Sequence, residues 1–273
     1  MTVDISEKIF KEVYDINDLL NIMSLLREPG GCPWDREQTH KSIRKNFLEE
    51  TYEVLEAIDT ENMSLLKEEL GDVLLQVVFH SEIARGEQNF SFSDVVTDIC
   101  KKLIVRHPHV FKDVQVSNTE EVLKNWEDIK KQTKGQSSHT ETLKDVPKVL
   151  PALMRSQKVQ KRAAKAGYDF NTVYGVLDKL DEEMDELKQA IEADDFIGYE
   201  QELGDLLFTA VNACRFLDVD SEEALTKSTD KFINRFSLVE QMANSRGVIL
   251  PNEDLALLDS LWEEAKLLEE KDS

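Results

Sequence analysis

Twice in this chain a run E-E-x-x-E is followed, sixteen residues after its last glutamate, by E-L-G-D: Glu49, Glu50 and Glu53 precede Glu69 and Asp72, and Glu182, Glu183 and Glu186 precede Glu202 and Asp205. Residues three apart on an α-helix lie about 60° apart around the axis and about 4.5 Å along it, so each such pair of acids shares a helix face. If each copy folds as an antiparallel hairpin, residues equidistant from the turn face each other. Glu183 with Asp205, and Glu186 with Glu202, are both centred on residue 194; Glu50 with Asp72, and Glu53 with Glu69, are both centred on residue 61. Four carboxylates therefore converge in each copy. An isolated acidic run is ordinarily a solvated helix face, but two pairs sharing one centre argue against that here. Gathered like charges are costly unless protons or a cation compensate. An all-oxygen donor set suits Mg²⁺ or Mn²⁺ better than zinc or copper. A di-iron bundle carries Glu-x-x-His on two helices; the single such spacing, Glu37 to His40, precedes the first hairpin and is not repeated.

A magnesium ion on carboxylates, in a chain without a nucleotide-binding loop, points to a phosphate substrate that enters with the metal. Neither G-x-x-x-x-G-K-[ST] nor G-x-G-x-x-G is present, which excludes P-loop and dinucleotide-fold readings. The counter-charges must then come from side chains. Lys231 and Arg235, spaced i, i+4, either project together at phosphates or are ordinary surface charges. Trp262 either stacks on a base or belongs to the core.

The elements that must position these residues read as helices. All six prolines fall at 29, 33, 108, 147, 151 and 251, leaving 34–107 and 152–250 free of proline. Apolar residues recur there at three and four, as in Leu65, Leu66, Leu70, Val73, Leu74, Val77 and Val78. Strand-like alternation is nearly absent, so the expected fold is all-α. Residues 49–80 align without a gap on 182–213, with 11 identities in 32 positions against about two by chance. Lys102 and Arg106 recur as Lys231 and Arg235, and Trp126 as Trp262. Two copies of one helical domain are expected: an N-terminal domain over 1–133, a polar, proline-bounded linker over 134–150, and a C-terminal domain over 151–273. The turn of the second hairpin is expected within 192–198, with Gly198 supplying its glycine. Gly71 and Gly204, each costing about 1 kcal/mol relative to alanine inside a helix, are expected to permit close helix approach beside the acids, sequence drift being the alternative.

Composition excludes several classes. The net charge is −22, from 33 basic and 55 acidic residues, which repels phosphodiester backbones, so no stable nucleic-acid binding is expected. No stretch approaches the roughly 18 apolar residues of a membrane span. The N-terminus has neither the basic nor the apolar region of a signal peptide, and a cytoplasmic location is expected. Cys32, Cys100 and Cys214 are odd in number and far apart, which supports neither a disulfide framework nor a cysteine zinc site.

Taken together, GCPWDREQTH (31–40), LEETYEVLEAI (48–58), EELGDVLLQVVFH (68–80), RHPHVF (106–111), LPALMRSQKVQKRA (150–163) and QELGDLLF (201–208) resemble the MazG nucleoside triphosphate pyrophosphohydrolases, of the all-α pyrophosphohydrolase superfamily, over essentially the whole chain. The resemblance implies Mg²⁺-dependent hydrolysis of canonical and aberrant nucleoside triphosphates, ATP among them, to monophosphate and pyrophosphate, a house-cleaning of the nucleotide pool. It also implies a homodimer that completes a four-helix bundle around each metal site, with the C-terminal domain as catalyst. Carried over by position, Glu183, Glu186, Glu202 and Asp205 hold the metal, Lys179, Lys231 and Arg235 the phosphates, and Trp262 the base. Glu50, Glu53, Glu69 and Asp72 are the corresponding N-terminal ligands, with Asn46 where the second copy has Lys179. Gly198 stands where relatives can place a further lysine. Glu182, one residue before the first ligand, is the candidate general base. The rival reading is a regulatory module that senses triphosphates without turnover; a structural helical adaptor is a third.

Overall fold

The computed structural model describes residues 10–133, 138–250 and 255–272, which form thirteen α-helices and no strand among the described residues. The chain divides into two compact units, Met1–Lys130 and Lys131–Ser273.

In the first unit the helices are α1 (Ile16–Arg27), α2 (Pro33–Glu37), α3 (Arg44–Asp59), α4 (Met63–Gly86), α5 (Phe92–Arg106), α6 (Pro108–Phe111) and α7 (Thr119–Thr133), the last continuing three residues past the boundary. α3 and α4 form the hairpin that carries the acids, and α1 and α5 pack on α4. Apolar positions of α1 and α4 meet Ile43, at the start of α3, in a core of Met23, Ile43, Val78, Phe79 and Ile83. Asp15 starts α1 with a capping box, its carboxylate accepting from the N–H groups of Asn17 and Asp18, which satisfies donors that a helix start leaves unpaired. The GCPWD stretch closes α1 onto α2. A Cβ at Gly31 would lie 2.3 Å from the Leu25 carbonyl oxygen, so only glycine fits there. The Arg27 guanidinium donates to the Asp35 carbonyl and lies 5.3 Å from the Phe79 ring centroid.

In the second unit the helices are α8 (His139–Lys144), α9 (Ala152–Lys165), α10 (Val173–Glu192), α11 (Phe196–Phe216), α12 (Ser221–Ser245) and α13 (Leu255–Asp272). α10 and α11 form the acid-bearing hairpin, α9 packs on α11, and α12 and α13 form a second hairpin with its own core of Val239, Ala243, Leu261 and Ala265. α12 also touches α9 and α11.

Three features depart from the sequence reading. First, the described part of the 134–150 segment is folded onto the second unit. α8 packs on α9, Val146 is buried, and Arg162 on α9 reaches the Thr142 carbonyl and the Asp145 carboxylate. Second, Gly198 takes no part in the turn of that unit's acid hairpin, which is centred as expected on Asp194 at a left-handed φ of 53°. Gly198 lies in the first turn of α11, buried, where a Cβ would stand 3.2 Å from Ala190 Cβ and 2.7 Å from Asp195 Oδ2. It serves close packing of α11 on α10. Third, Gly71 and Gly204 are exposed, and a Cβ at either would meet nothing within 4 Å among the described residues. Neither permits a close helix approach within its own unit.

Candidate metal and phosphate centres

Both hairpins turn at their expected centres: Glu61 at φ 52° and Asp194 at φ 53° are left-handed, and helices end and begin within two residues on either side. This symmetry brings the acids together. In the first unit Glu50 from α3 and Glu69 and Asp72 from α4 have carboxylate oxygens all within 4.8 Å of one another. Glu53 falls outside that set yet still acts as a neighbouring charge on Glu50 and Glu69. In the second unit Glu183 and Glu186 from α10 and Glu202 from α11 form the set, so Glu186, the repeat of Glu53, joins it, and exposed Asp205, the repeat of Asp72, falls outside. An octahedral Mg²⁺ with oxygens at about 2.1 Å separates its ligands by about 2.9 Å across an edge and about 4.2 Å across the centre. Both all-carboxylate sets fit such an ion with small adjustments.

The two centres handle their crowded charge differently. In the first, burial pushes the Glu50 and Glu69 carboxyls above the usual carboxylate range; for Glu50 the charges of Asp72 and Glu53 add to this, and for Glu69 that of Glu53. In the second, burial likewise holds Glu186 above its ordinary value, but a cation, Lys179, offsets part of the rise. The Lys179 ammonium lies 2.9 Å from Glu182 Oε1 and 2.9 Å from Glu183 Oε1. These hydrogen bonds, to Glu182 first and Glu183 second, hold the ammonium well above the ordinary lysine value. The structure thus places the candidate base Glu182 on the exposed side of α10, paired with Lys179.

Lys231, Arg235 and Trp262 come together on α12–α13. The Arg235 guanidinium donates twice to Glu269, at 2.9 and 2.6 Å, and lies 5.2 Å from the Trp262 ring centroid. Trp262 also packs against the α12–α13 core. Lys231 lines a cavity of about 660 Å³ with Asp230 and Asn234. The first unit repeats the arginine–tryptophan contact, Arg106 lying 5.3 Å from the Trp126 centroid. The sequence-expected residues of the second unit therefore fall into two groups, acids with Lys179 on α10–α11 and the remaining cations with Trp262 on α12–α13.

Two participants were not anticipated. Gln76 is buried at 6% exposure and donates to Glu50 Oε1 at 3.4 Å, while its own Oε1 is buried without a hydrogen-bond partner among the described residues. Its spacing was a usable signal: residue 76 follows Asp72 by four and Glu69 by seven, on the same helix face. Glu269 had no such signal, because its pairing with Arg235 depends on how α13 crosses α12.

Comparison with known proteins gives concordant matches. Residues 38–111 and 172–239 match the family described as the MazG nucleotide pyrophosphohydrolase domain. The chain is 46% identical over 256 residues to a nucleoside triphosphate pyrophosphohydrolase of Escherichia coli, covering 92% of this chain and 97% of that protein. It is 45% identical over 249 residues to the nucleoside triphosphate pyrophosphohydrolase/pyrophosphatase MazG of Thermotoga maritima, covering 91% and 94%. The uncharacterised protein YabN of Bacillus subtilis is 46% identical over 259 residues, covering 94% of this chain and 53% of YabN.

Proposed function

The chain belongs to the MazG nucleotide pyrophosphohydrolase family, and from that premise we propose that it hydrolyses nucleoside triphosphates, ribo- and deoxy-, canonical and aberrant, to monophosphate and pyrophosphate. The observation that carries this reading is the gathering of three carboxylates in each hairpin, inside the two segments that match the family. Glu183, Glu186, Glu202 and Asp205 are the C-terminal metal ligands in this reading, and Glu50, Glu53, Glu69 and Asp72 the N-terminal ones. Mg²⁺, or Mn²⁺ in its place, supplies a Lewis acid that offsets charge on the phosphates and lowers the pKa of a bound water.

The chain's own residues do the rest. Lys179, Lys231 and Arg235 pair with phosphate oxygens, and Trp262 stacks on the base. Glu182 accepts a proton from the attacking water. The bond between the α- and β-phosphates breaks, water's oxygen stays on one product, and the pair of outer phosphates leaves as pyrophosphate. The C-terminal unit is the catalyst, because it alone carries Lys179. The N-terminal unit, with Asn46 there, binds metal and nucleotide in a supporting or sensing role.

A homodimer fits the exposed apolar positions of the acid hairpins. Ile58, Leu70 and Leu74 are 49%, 52% and 41% exposed, and their repeats Ile191, Leu203 and Leu207 are 54%, 46% and 58% exposed. A second copy packing there completes four-helix bundles, which light scattering at micromolar concentration tests. No described helix is long and apolar enough to cross a membrane, and a cytoplasmic location completes the reading. Incubation with a panel of triphosphates and Mg²⁺, with product identification, tests the function. Monophosphate and pyrophosphate support it, and no product from any of them defeats it.

A further inference from the structure

The charge partner of Glu183 carries an inference about how the catalytic centre is loaded, one that rests on the metal reading just given. Glu183 is the most buried acid of its set, at 5% exposure, and a carboxylate removed from water needs a counter-charge. Lys179 provides it, its Nζ lying 2.9 Å from Glu183 Oε1 and equally close to Glu182 Oε1. Helix preference does not explain the pair: glutamate before lysine is the favoured i, i+4 order, and here lysine comes first. The first unit carries acids at the four matching sequence positions but an uncharged Asn46 in place of the lysine.

We propose that the Lys179 ammonium is a counter-ion of the C-terminal carboxylates, holding Glu183 until metal and triphosphate arrive together and then moving to a phosphate oxygen. A bare divalent ion must displace the ammonium from Glu183 and leave it with only the exposed Glu182 as partner. A metal–triphosphate complex offers it a phosphate oxygen. The centre therefore discriminates against metal alone and in favour of the complex, and the first unit, lacking the lysine, does not. Lys179 is in this respect a positioning residue for the metal as well as a phosphate ligand.

The test is metal affinity measured without turnover. Glu69→Gln in the full chain reduces binding by the first unit, and the parent so made is titrated with Mn²⁺ at pH 8 by calorimetry and electron paramagnetic resonance. Adding Lys179→Met should tighten binding of bare Mn²⁺ about tenfold, within the usual span of coupling between two ligands. The same change should weaken binding of Mn²⁺ with a non-hydrolysable triphosphate analogue by a similar factor. Lys179→Arg, which keeps the cation, should leave bare Mn²⁺ affinity within about twofold of the parent. If Lys179→Met does not fold, Lys179→Gln carries the same expectation. Unchanged or weaker binding of bare Mn²⁺ after loss of the cation overturns the proposal. Failure of the metal assignment is seen separately: Glu202→Gln added to the parent would then leave Mn²⁺ binding unchanged, overturning both readings.

Discussion

The hairpins α3–α4 and α10–α11 are one scaffold used twice, and they differ chiefly in how each tolerates its acids. Their left-handed centres, Glu61 and Asp194, correspond one to one, as do the exposed apolar positions Ile58 and Ile191, Leu70 and Leu203, Leu74 and Leu207. The compensation does not correspond. The first hairpin has Asn46 and Gln76 where the second has Lys179 and Thr209. Without a cation, the first raises the proton affinity of Glu50 and Glu69; with one, the second pairs Glu183 to Lys179. The two copies share the backbone geometry of the site, which depends on helix period and turn. Its electrostatics depend on single residues, and there the copies differ.

The comparison breaks outright if no metal is involved, so the largest expected effect is on removing it. Exhaustive chelation should abolish turnover, and Mg²⁺ or Mn²⁺ should restore it; full activity in the chelated protein would exclude a metal role for either hairpin. Next in size is the contrast between matched ligands. Glu202→Gln should lower kcat by about 100-fold or more, the scale of losing one electrostatic element of a catalytic site. Glu69→Gln should lower it by less than about threefold. Equal losses in variants shown by circular dichroism to be folded would mean that both hairpins catalyse or are tightly coupled.

A subtler contrast lies in pH. In the metal-free protein Glu50 and Glu69 are held above their ordinary carboxylate value, chiefly by burial. Groups raised on folding contribute stability that is present below their unfolded pKa and lost as pH rises through the folded one. Glu69→Gln removes one of these charges, so without metal it should raise Tm more at pH 8 than at pH 5. The reverse ordering would show that Glu69 is stabilised as an anion.

The smallest effect concerns the glycines. With open space around Gly71, alanine there should add about 0.5–1 kcal/mol of stability in denaturant unfolding. A loss instead would show that a second chain packs against that turn.

What was legible in the sequence was whatever depends on period. The carboxylate spacing located both turns to the residue, since 3.6 residues per turn leaves little freedom in a hairpin. Features that depend on which helix lies beside a residue were misjudged or missed. Gly198 reads as a turn glycine from its neighbours Asp194 and Asp195, yet it packs against Ala190. Gly71 and Gly204 read as contact points beside the acids and face open space. The 134–150 segment is polar and bounded by prolines, but the burial of Val146 and the reach of Arg162 belong to tertiary packing. The pairing of Lys179 with Glu183 was readable as an i, i+4 spacing. Its significance was not, because that rests on the burial of Glu183.

Which phosphoanhydride bond breaks decides the function most directly. Phosphorus NMR of the full chain turning over a triphosphate in the presence of Mg²⁺ should show monophosphate and pyrophosphate rising together from the first turnover, with no diphosphate intermediate. Accumulation of nucleoside diphosphate and orthophosphate would contradict it, even with the metal bound where these carboxylates converge.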